Sequence, residues 1–292
     1  MKDLSLGLLV SGSLGLICLK HVYLNRRLNF IFTDYASESI IVFARDNHIP
    51  VFIGNPRNGR SREFLSNKSV ELILSINYIF VVDRDVIEFP LKYAVNFHGS
   101  LLPKYRGRTP HVWAIINNES KSGITAHLIS ENCDEGDILY QEIVEIDQNE
   151  TGGDLLIKFQ NRYPWIIDHI INLIEDNLVV LVPQVHECAS YFGKRTEKDG
   201  LINWDWQKER IFNWVRAQSK PYPGAYTYLK NQKVIIHKIQ YSNLGYSNND
   251  PNGMILNTQG NMIVKTPNGA VEISEIETQS TLNFIKGDIF HG

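Results

Sequence analysis

Asn96 and His98 stand two residues apart in the stretch Asn96-Phe97-His98-Gly99-Ser100-Leu101-Leu102-Pro103-Lys104-Tyr105-Arg106-Gly107. The apolar run Tyr93-Ala94-Val95 before them reads as the end of a buried strand. Strand side chains alternate with period two, so the amide and the imidazole point the same way. A carboxamide donates hydrogen bonds and an imidazole moves a proton. Side by side, they are the minimum equipment for acyl transfer. A lone histidine is more often a structural residue, and an asparagine at a strand end often only closes a turn. The pair therefore needs support from the rest of the chain.

The elements that must hold the pair are legible as a pattern. Leu4–Val10 reads as a strand, Ser11–Gly15 as a turn and Leu16–Leu24 as an apolar helix. Asn29–Asp34, Val51–Ile53 and Leu72–Ile76 read as further strands, with helices at Ser39–Asn47 and Arg60–Ser66 and another before Pro90. Strands alternating with short helices predict an open, mostly parallel, Rossmann-like α/β sheet. Ligands of such sheets sit beyond the carboxyl ends of the strands, where Asn96, His98 and the Ser11–Gly15 turn are expected. That turn fits neither G-x-G-x-x-G nor the Walker pattern, so it reads as a tight strand–helix connection.

Further on, Pro110–Asn117 predicts a helix, Ile124–Ile129 and Ile138–Ile146 strands, and Ile157–Asp176 a longer helix. The acidic turn Asn132-Cys133-Asp134-Glu135-Gly136-Asp137 lacks the spacing of a calcium loop. From Thr227 the pattern is β, with runs at Val234–Ile239, Gly253–Leu256, Met262–Val264 and Ala270–Ile273. This predicts a small C-terminal β-rich, OB-like module. The expected organisation is a catalytic domain over 1–190, a connecting segment over 191–226 and the β-rich module over 227–292.

The bulk numbers narrow the classes. The chain has 292 residues, 43% hydrophobic and 21% charged, and a net charge of −3. That balance describes an ordinary globular protein and argues against a general nucleic-acid binder. Cys18, Cys133 and Cys188 are widely spaced, which predicts neither a disulfide framework nor a zinc site, and fits a cytoplasmic location. Cys133 reads as a small buried hydrophobe rather than a nucleophile. Lys2 followed by Leu4–Leu19 has the outline of a secretory signal, but Ser11-Gly12-Ser13 and Gly15 interrupt it. No uninterrupted apolar window of membrane-spanning length follows, so no membrane partner is expected.

Three ordered blocks then point to a family. Asn96-Phe97-His98-Gly99-Ser100-Leu101-Leu102-Pro103, Ser122-Gly123-Ile124-Thr125-Ala126-His127 and Asp134-Glu135-Gly136-Asp137-Ile138 resemble the folate-dependent formyltransferases. The resemblance extends through Pro221-Tyr222-Pro223-Gly224-Ala225 into the C-terminal module. It implies Asn96, His98 and Asp134 as the catalytic set and N10-formyltetrahydrofolate as co-substrate, with no metal. It also implies a pterin pocket walled by Phe80, Val81 and Val82 and by the loop Ser130–Asp137, with Asp134 and Asp137 in it. In this reading Asn96 and His98 donate to a developing oxyanion, while Asp134 fixes the His98 tautomer and relays protons. His111, His127 and His169 read as structural.

The acceptor amine is the remaining choice. A methionyl-tRNA acceptor calls for a basic surface, and the early cluster Arg57, Arg60 and Arg62 is diluted by Asn58, Gly59 and Glu63. The segment from Tyr191 resembles instead the nucleotide-sugar N-formyltransferases, as does Tyr78. Lys194, Arg195, Arg216 and Lys220 could meet a diphosphate, and Phe192, Tyr191 or Tyr222 could stack on a base. The duller reading makes these residues internal ties. The implied acceptor is a dTDP-linked 4-amino-4,6-dideoxyglucose or a 3-amino isomer, for a surface polysaccharide such as O-antigen. The sequence shows no fused dehydrogenase segment, which argues against a UDP-aminoarabinose acceptor. A catalytically idle binding module is the reading from a different class. Phe284 and Phe290 near the end either serve a homodimer or fold back on their own module.

Overall fold

The computed structural model describes residues 4–292, so Lys2 lies outside it. The chain runs β1 Ser5–Val10, α1 Gly12–Asn25, β2 Arg27–Thr33, α2 Glu38–Asp46, β3 Val51–Ile53, α3 Arg62–Leu65 and β4 Leu72–Ile76. It continues through α4 Arg84–Ile87, β5 Tyr93–His98, β6 Arg106–Gly107, α5 Pro110–Ile116, β7 Lys121–Leu128, β8 Ile138–Glu145 and α6 Gly152–Glu175. The last part comprises β9 Tyr191–Phe192, α7 Lys208–Ala217, β10 Ala225–Leu229, β11 Gln232–Ser242, β12 Ile255–Asn257, β13 Met262–Thr266 and β14 Gly269–Thr278.

These elements fall into two compact units whose segments interleave along the chain. One unit runs to Gly107 and takes in Ser122–Val144 and Lys158–Phe192. The other holds Arg108–Lys121, Glu145–Ile157 and Gly193–Gly292. The first unit ends at Phe192, and α5 belongs to the second unit despite its early position in the chain.

The first unit is built on a seven-stranded sheet of order β3-β2-β1-β4-β5-β7-β8. The strands from β3 to β5 are parallel and β7 runs antiparallel to β5. Strands of a parallel sheet are covered on both faces, which is why β1 and β4 read as near-continuous apolar runs. The second unit carries a five-stranded antiparallel sheet of order β10-β11-β14-β13-β12, the predicted β-rich module. Phe290 is buried there, stacked on Trp204 at 5.5 Å, and Phe284 lies 6.3 Å from it, so this end folds back on its own unit.

Two departures from the sequence reading have physical causes. Helix α6 begins at Gly152, five residues before its apolar periodicity becomes visible. Its start is marked by a reciprocal cap: the Asp154 N–H donates to Thr151 Oγ1 (3.1 Å) and the Thr151 N–H donates to the Asp154 carboxylate (2.9 Å). Strands β11 and β14 run beyond their apolar centres because ladder hydrogen bonds continue into their polar ends. Among the described residues no helix is long and apolar enough to cross a membrane.

Around β2 the core is aromatic. Phe30 is fully buried, with Phe32, Phe64 and Phe89 ring centroids 5.6, 5.9 and 6.0 Å away. Gly7 of β1 lies under this ring, and a Cβ there would come within 2.4 Å of it. Truncation of Phe30 to Ala should cost about 3–5 kcal/mol of stability, read from denaturant unfolding. A loss below about 1 kcal/mol would mean that the cluster closes over the void.

Candidate active site

The last residues of β5 are polar although the strand is buried on both sides. Asn96 is half-buried and His98 is 6% exposed. Phe97 between them turns to the opposite face, its ring 6.2 Å from that of Tyr163 on α6. The antiparallel register of β7 then sets His127 directly beside Asn96 and Thr125 beside His98. Cross-strand neighbours of this kind touch. Asn96 Nδ2 lies 3.0 Å from His127 Nε2 and His127 Nδ1 lies 2.8 Å from the Leu128 carbonyl. A carbonyl only accepts, so His127 carries its proton on Nδ1 and takes an N–H from Asn96 on Nε2. That bond fixes which end of the Asn96 side chain is the donor.

His98 is constrained in the same manner. Its Nε2 donates to the Tyr105 carbonyl at 2.7 Å, which leaves Nδ1 as the atom that can take a proton. Nδ1 faces Asp134 Oδ2 at 3.6 Å, and the other carboxylate oxygen lies 3.6 Å from His127 Nε2. Asp134 itself sits in the left-handed region at φ 57°. Its Oδ2 accepts the Gly107 N–H at 2.8 Å and the Cys133 thiol at 3.2 Å. Gly107 has φ 99°, and a Cβ there would strike the Phe192 carbonyl at 2.3 Å, so only glycine brings this N–H to the carboxylate.

The electrostatics follow from burial and these partners. Burial pushes the Asp134 carboxyl up, but the attraction of the His98 and His127 imidazoles in their protonated forms and the Gly107 N–H outweigh it and hold the group well below the usual range. Burial also lowers the His98 imidazole, against the opposing pull of Asp134 and the Tyr105 carbonyl, and the net direction is down. At neutral pH the site holds an ionised carboxylate beside a neutral imidazole. That is the arrangement of a base whose protonated form has a counter-ion waiting.

The structure therefore brings Asn96, His98 and Asp134 together. The Nε2–H of His98 is engaged by the Tyr105 carbonyl, which leaves the Asn96 amide as the free side-chain donor of the pair. His127, read as structural, stands in the site, and the signal that could have found it is its register with Asn96. Cys133 is exposed rather than buried, because its turn projects past the strand ends. The residues expected at a pterin are divided. Phe80 is half-buried with its ring 5.6 Å from that of Tyr78, and Val81 is exposed. Val82 is packed into the aromatic core with Phe30 and Phe32, so its side chain is not available to a ligand. Asp137 anchors the turn through its backbone, its carbonyl accepting the Leu128 N–H at 2.9 Å.

The residues expected at a nucleotide sugar are mostly tied down. Tyr78 donates to the Gly54 carbonyl at 3.2 Å, and burial raises its phenol. Phe192 stacks on Tyr105 at 4.9 Å, and the exposed Tyr191 donates to Glu135 at 2.5 Å. Arg195 lies 4.8 and 4.5 Å from the rings of Trp113 and Trp214 and donates to the Asp199 carbonyl and Gln218. Arg216 is buried, its N–H groups on Asn213 and the Glu150 carbonyl. Neither guanidinium is disposed toward a diphosphate. Tyr222 pairs with His111, Lys220 lies 3.5 Å from Glu275, and Lys194 is exposed.

Residues 39–171 match the family model for formyl transferase, and residues 194–287 match that for the formyl transferase C-terminal domain. The bifunctional polymyxin resistance protein ArnA of Wigglesworthia glossinidia brevipalpis is 34% identical over 255 residues, 84% of this chain. The chain spans 38% of the length of that relative. Among solved structures, WlaRD, a sugar 3N-formyl transferase crystallised in the presence of dTDP and 5-N-formyl-THF, superposes with TM-score 0.70 at 21% identity. That match covers 97% of this chain and all of the other. An N-formyltransferase from Helicobacter canadensis, in complex with folinic acid and dTDP-3-aminofucose, gives TM-score 0.66 at 22% identity, covering 94% and 99%. At these identities the structural likeness is one of fold.

Acid should remove both charge states of the site. His98, depressed by burial, resists a proton that the unfolded chain accepts from about pH 6.5 downward. Asp134, held low, keeps its charge below about pH 4, where the unfolded carboxylate is neutralised. Both contributions are present above the unfolded values and are lost as pH falls toward the folded ones. Denaturant midpoints taken between pH 8 and 3 should decline in both windows. His98→Gln should flatten the upper window and Asp134→Asn the lower.

Proposed function

We propose that this chain, which belongs to the formyl transferase family, transfers a formyl group from N10-formyltetrahydrofolate to the amino group of a nucleotide-linked amino sugar. The observation that carries the reading is the convergence of Asn96, His98 and Asp134 at the end of β5, inside the stretch that matches the family. The donor set suits such a co-substrate: an amide N–H for a carbonyl oxygen, a neutral imidazole for an amine proton and a carboxylate for the resulting cation. When bound, N10-formyltetrahydrofolate supplies an activated formyl carbon and a nitrogen leaving group. Phe80 and Val81 would give its ring apolar surface, and the backbone of the turn around Asp134 would give it polar groups.

The roles of the chain's own residues follow from their bonds. Asn96 has one amide N–H on His127, and its second N–H is the one that meets the developing oxyanion. His98 takes the proton of the attacking amine on Nδ1, and Asp134 stabilises the imidazolium that forms. Returning that proton to the departing nitrogen completes the transfer.

The acceptor is read as dTDP-linked 4-amino-4,6-dideoxyglucose or a 3-amino isomer, used in a surface polysaccharide. The likeness to solved sugar N-formyltransferases supports the acceptor class. The charge pattern also speaks against tRNA. Arg57 is bonded to Asp83 at 3.1 Å and Arg62 to Asp85 at 2.7 Å, so two cations of the early cluster already have acidic partners. Lys194 remains the best placed of the expected cations to meet a phosphate, since it is exposed.

The test is turnover with N10-formyltetrahydrofolate against a panel of dTDP- and UDP-linked amino sugars, with products identified by mass. A gain of one formyl group on a sugar amine is expected. Formylation of charged methionyl-tRNA with no sugar turned over would sink the acceptor assignment. Within the working assay, Asn96→Ala should lower kcat by about 10²–10³-fold, the usual consequence of losing one oxyanion donor. His98→Ala should abolish turnover, and near-normal kcat in that variant would remove His98 from the chemistry.

A further inference from the structure

Arg106 is a fully buried cation that the chemistry above does not use. An arginine is rarely buried unless its charge and its donors are all met. Its place in the chain is informative. The residue before it, Tyr105, accepts the His98 Nε2–H, and the residue after it, Gly107, gives its N–H to Asp134. The main chain on either side of Arg106 therefore touches both members of the His98–Asp134 pair.

The side chain reaches the same turn by two further routes. Arg106 Nε and Nη2 donate to Gln184 Oε1 at 3.2 and 2.7 Å. Gln184 Nε2 in turn donates to the carbonyls of Asp134 (2.9 Å) and Gly136 (2.7 Å). Arg106 Nη1 donates to the Tyr191 hydroxyl and lies 3.3 Å from Glu135, which also accepts the Tyr191 hydroxyl proton. Each residue of the turn Asp134–Gly136 is thus held by a group that answers to Arg106. Asp134 occupies a left-handed conformation that a non-glycine residue keeps only when its surroundings impose it.

We propose that Arg106, Gln184 and Tyr191 form one clamp, centred on the buried Arg106 guanidinium, that positions the Asp134 carboxylate against His98, so that Arg106 is a positioning residue for the proton transfer. The proposal rests on the formyl-transfer reading for its kinetic consequence, though not for its structural one. The charged and titratable groups that face His98 are Asp134, His127 and Arg106 itself. Asp134 favours the His98 cation, whereas Arg106 and His127 oppose it. Loosening the turn while Arg106 keeps its charge removes the favourable partner alone.

Gln184→Met makes that change, since it deletes the amide bridge and leaves the guanidinium in place. Two readouts are expected. In formyl transfer, kcat should fall about 10–100-fold while KM for donor and acceptor stays within about threefold, as for a displaced catalytic group. In a histidine-resolved NMR titration, the His98 midpoint should move down by about half a pH unit or more. Tyr191→Phe cuts the second route by one exposed hydroxyl. It should show the same two changes in smaller degree, and it decides the matter if Gln184→Met does not fold. A folded variant with unchanged kcat and an unchanged His98 midpoint overturns the clamp, as does a loss confined to KM. If the wild-type protein transfers no formyl group, the functional reading fails, and the titration alone confirms or overturns the positioning.

Discussion

An ionised carboxylate facing a neutral imidazole under low solvent exposure is the constraint around which the first unit is arranged. The Asp134 side chain is 10% exposed and that of His98 is 7% exposed. Left alone, burial would protonate the acid. It keeps its charge because the N–H of Gly107 binds it and because either imidazole, once protonated, would stand beside it as a counter-ion. Every local peculiarity nearby serves that compensation. Gly107 cannot carry a side chain, Asp134 takes a left-handed backbone, and Tyr105 presents its carbonyl inward.

The sheet explains why such a site arises here. Five parallel strands end at one edge, and β5 is the last of them before β7 reverses direction. At that seam a strand end of the parallel set meets the start of the antiparallel pair. Asn96 faces His127 across the ladder, and His98 faces Thr125. Thr125 Oγ1 donates to the Ser100 carbonyl at 2.6 Å and accepts the Leu102 N–H at 3.2 Å, which pins the irregular stretch after β5. The pair is therefore positioned by strand register, and the loop after it is secured by a strand residue. Sites carried on regular elements hold their geometry more closely than sites carried on loops alone.

Much of this is legible in the residues alone. Alternation in a strand placed Asn96 and His98 on one side, and the ordered blocks pointed to Asp134. What remained hidden was every relation that depends on strand pairing. His127 looked like an ordinary histidine in an alternating strand until the antiparallel register set it against Asn96. Arg106 lay in plain view within the opening stretch, yet nothing in its type says that it is fully buried. The beginning of α6 was masked by the pair Gly152-Gly153, whose missing side chains admit the carbonyls of Ala217 and Lys220. Close backbone approach, not turn formation, is the reason for these glycines.

The cations after Tyr191 show the limit of reading charge from composition. A run containing Lys194 and Arg195, followed by Arg216 and Lys220, looks like a phosphate-binding field. In the fold, Arg195 lies against two tryptophan rings and Arg216 is buried against backbone carbonyls. Guanidinium groups suit such positions because they are weakly hydrated and planar, whereas an ammonium group prefers water. The two lysines accordingly stay exposed. Recognition of a polyanion depends on many exposed cations acting together, since each phosphate neutralised adds to the affinity through counter-ion release. Arg195 and Arg216 are thus committed to aromatic faces and backbone carbonyls, and Arg57 and Arg62 to surface carboxylates. A small acceptor bearing one or two phosphates, as proposed above, asks for far fewer exposed cations than a polyanion does.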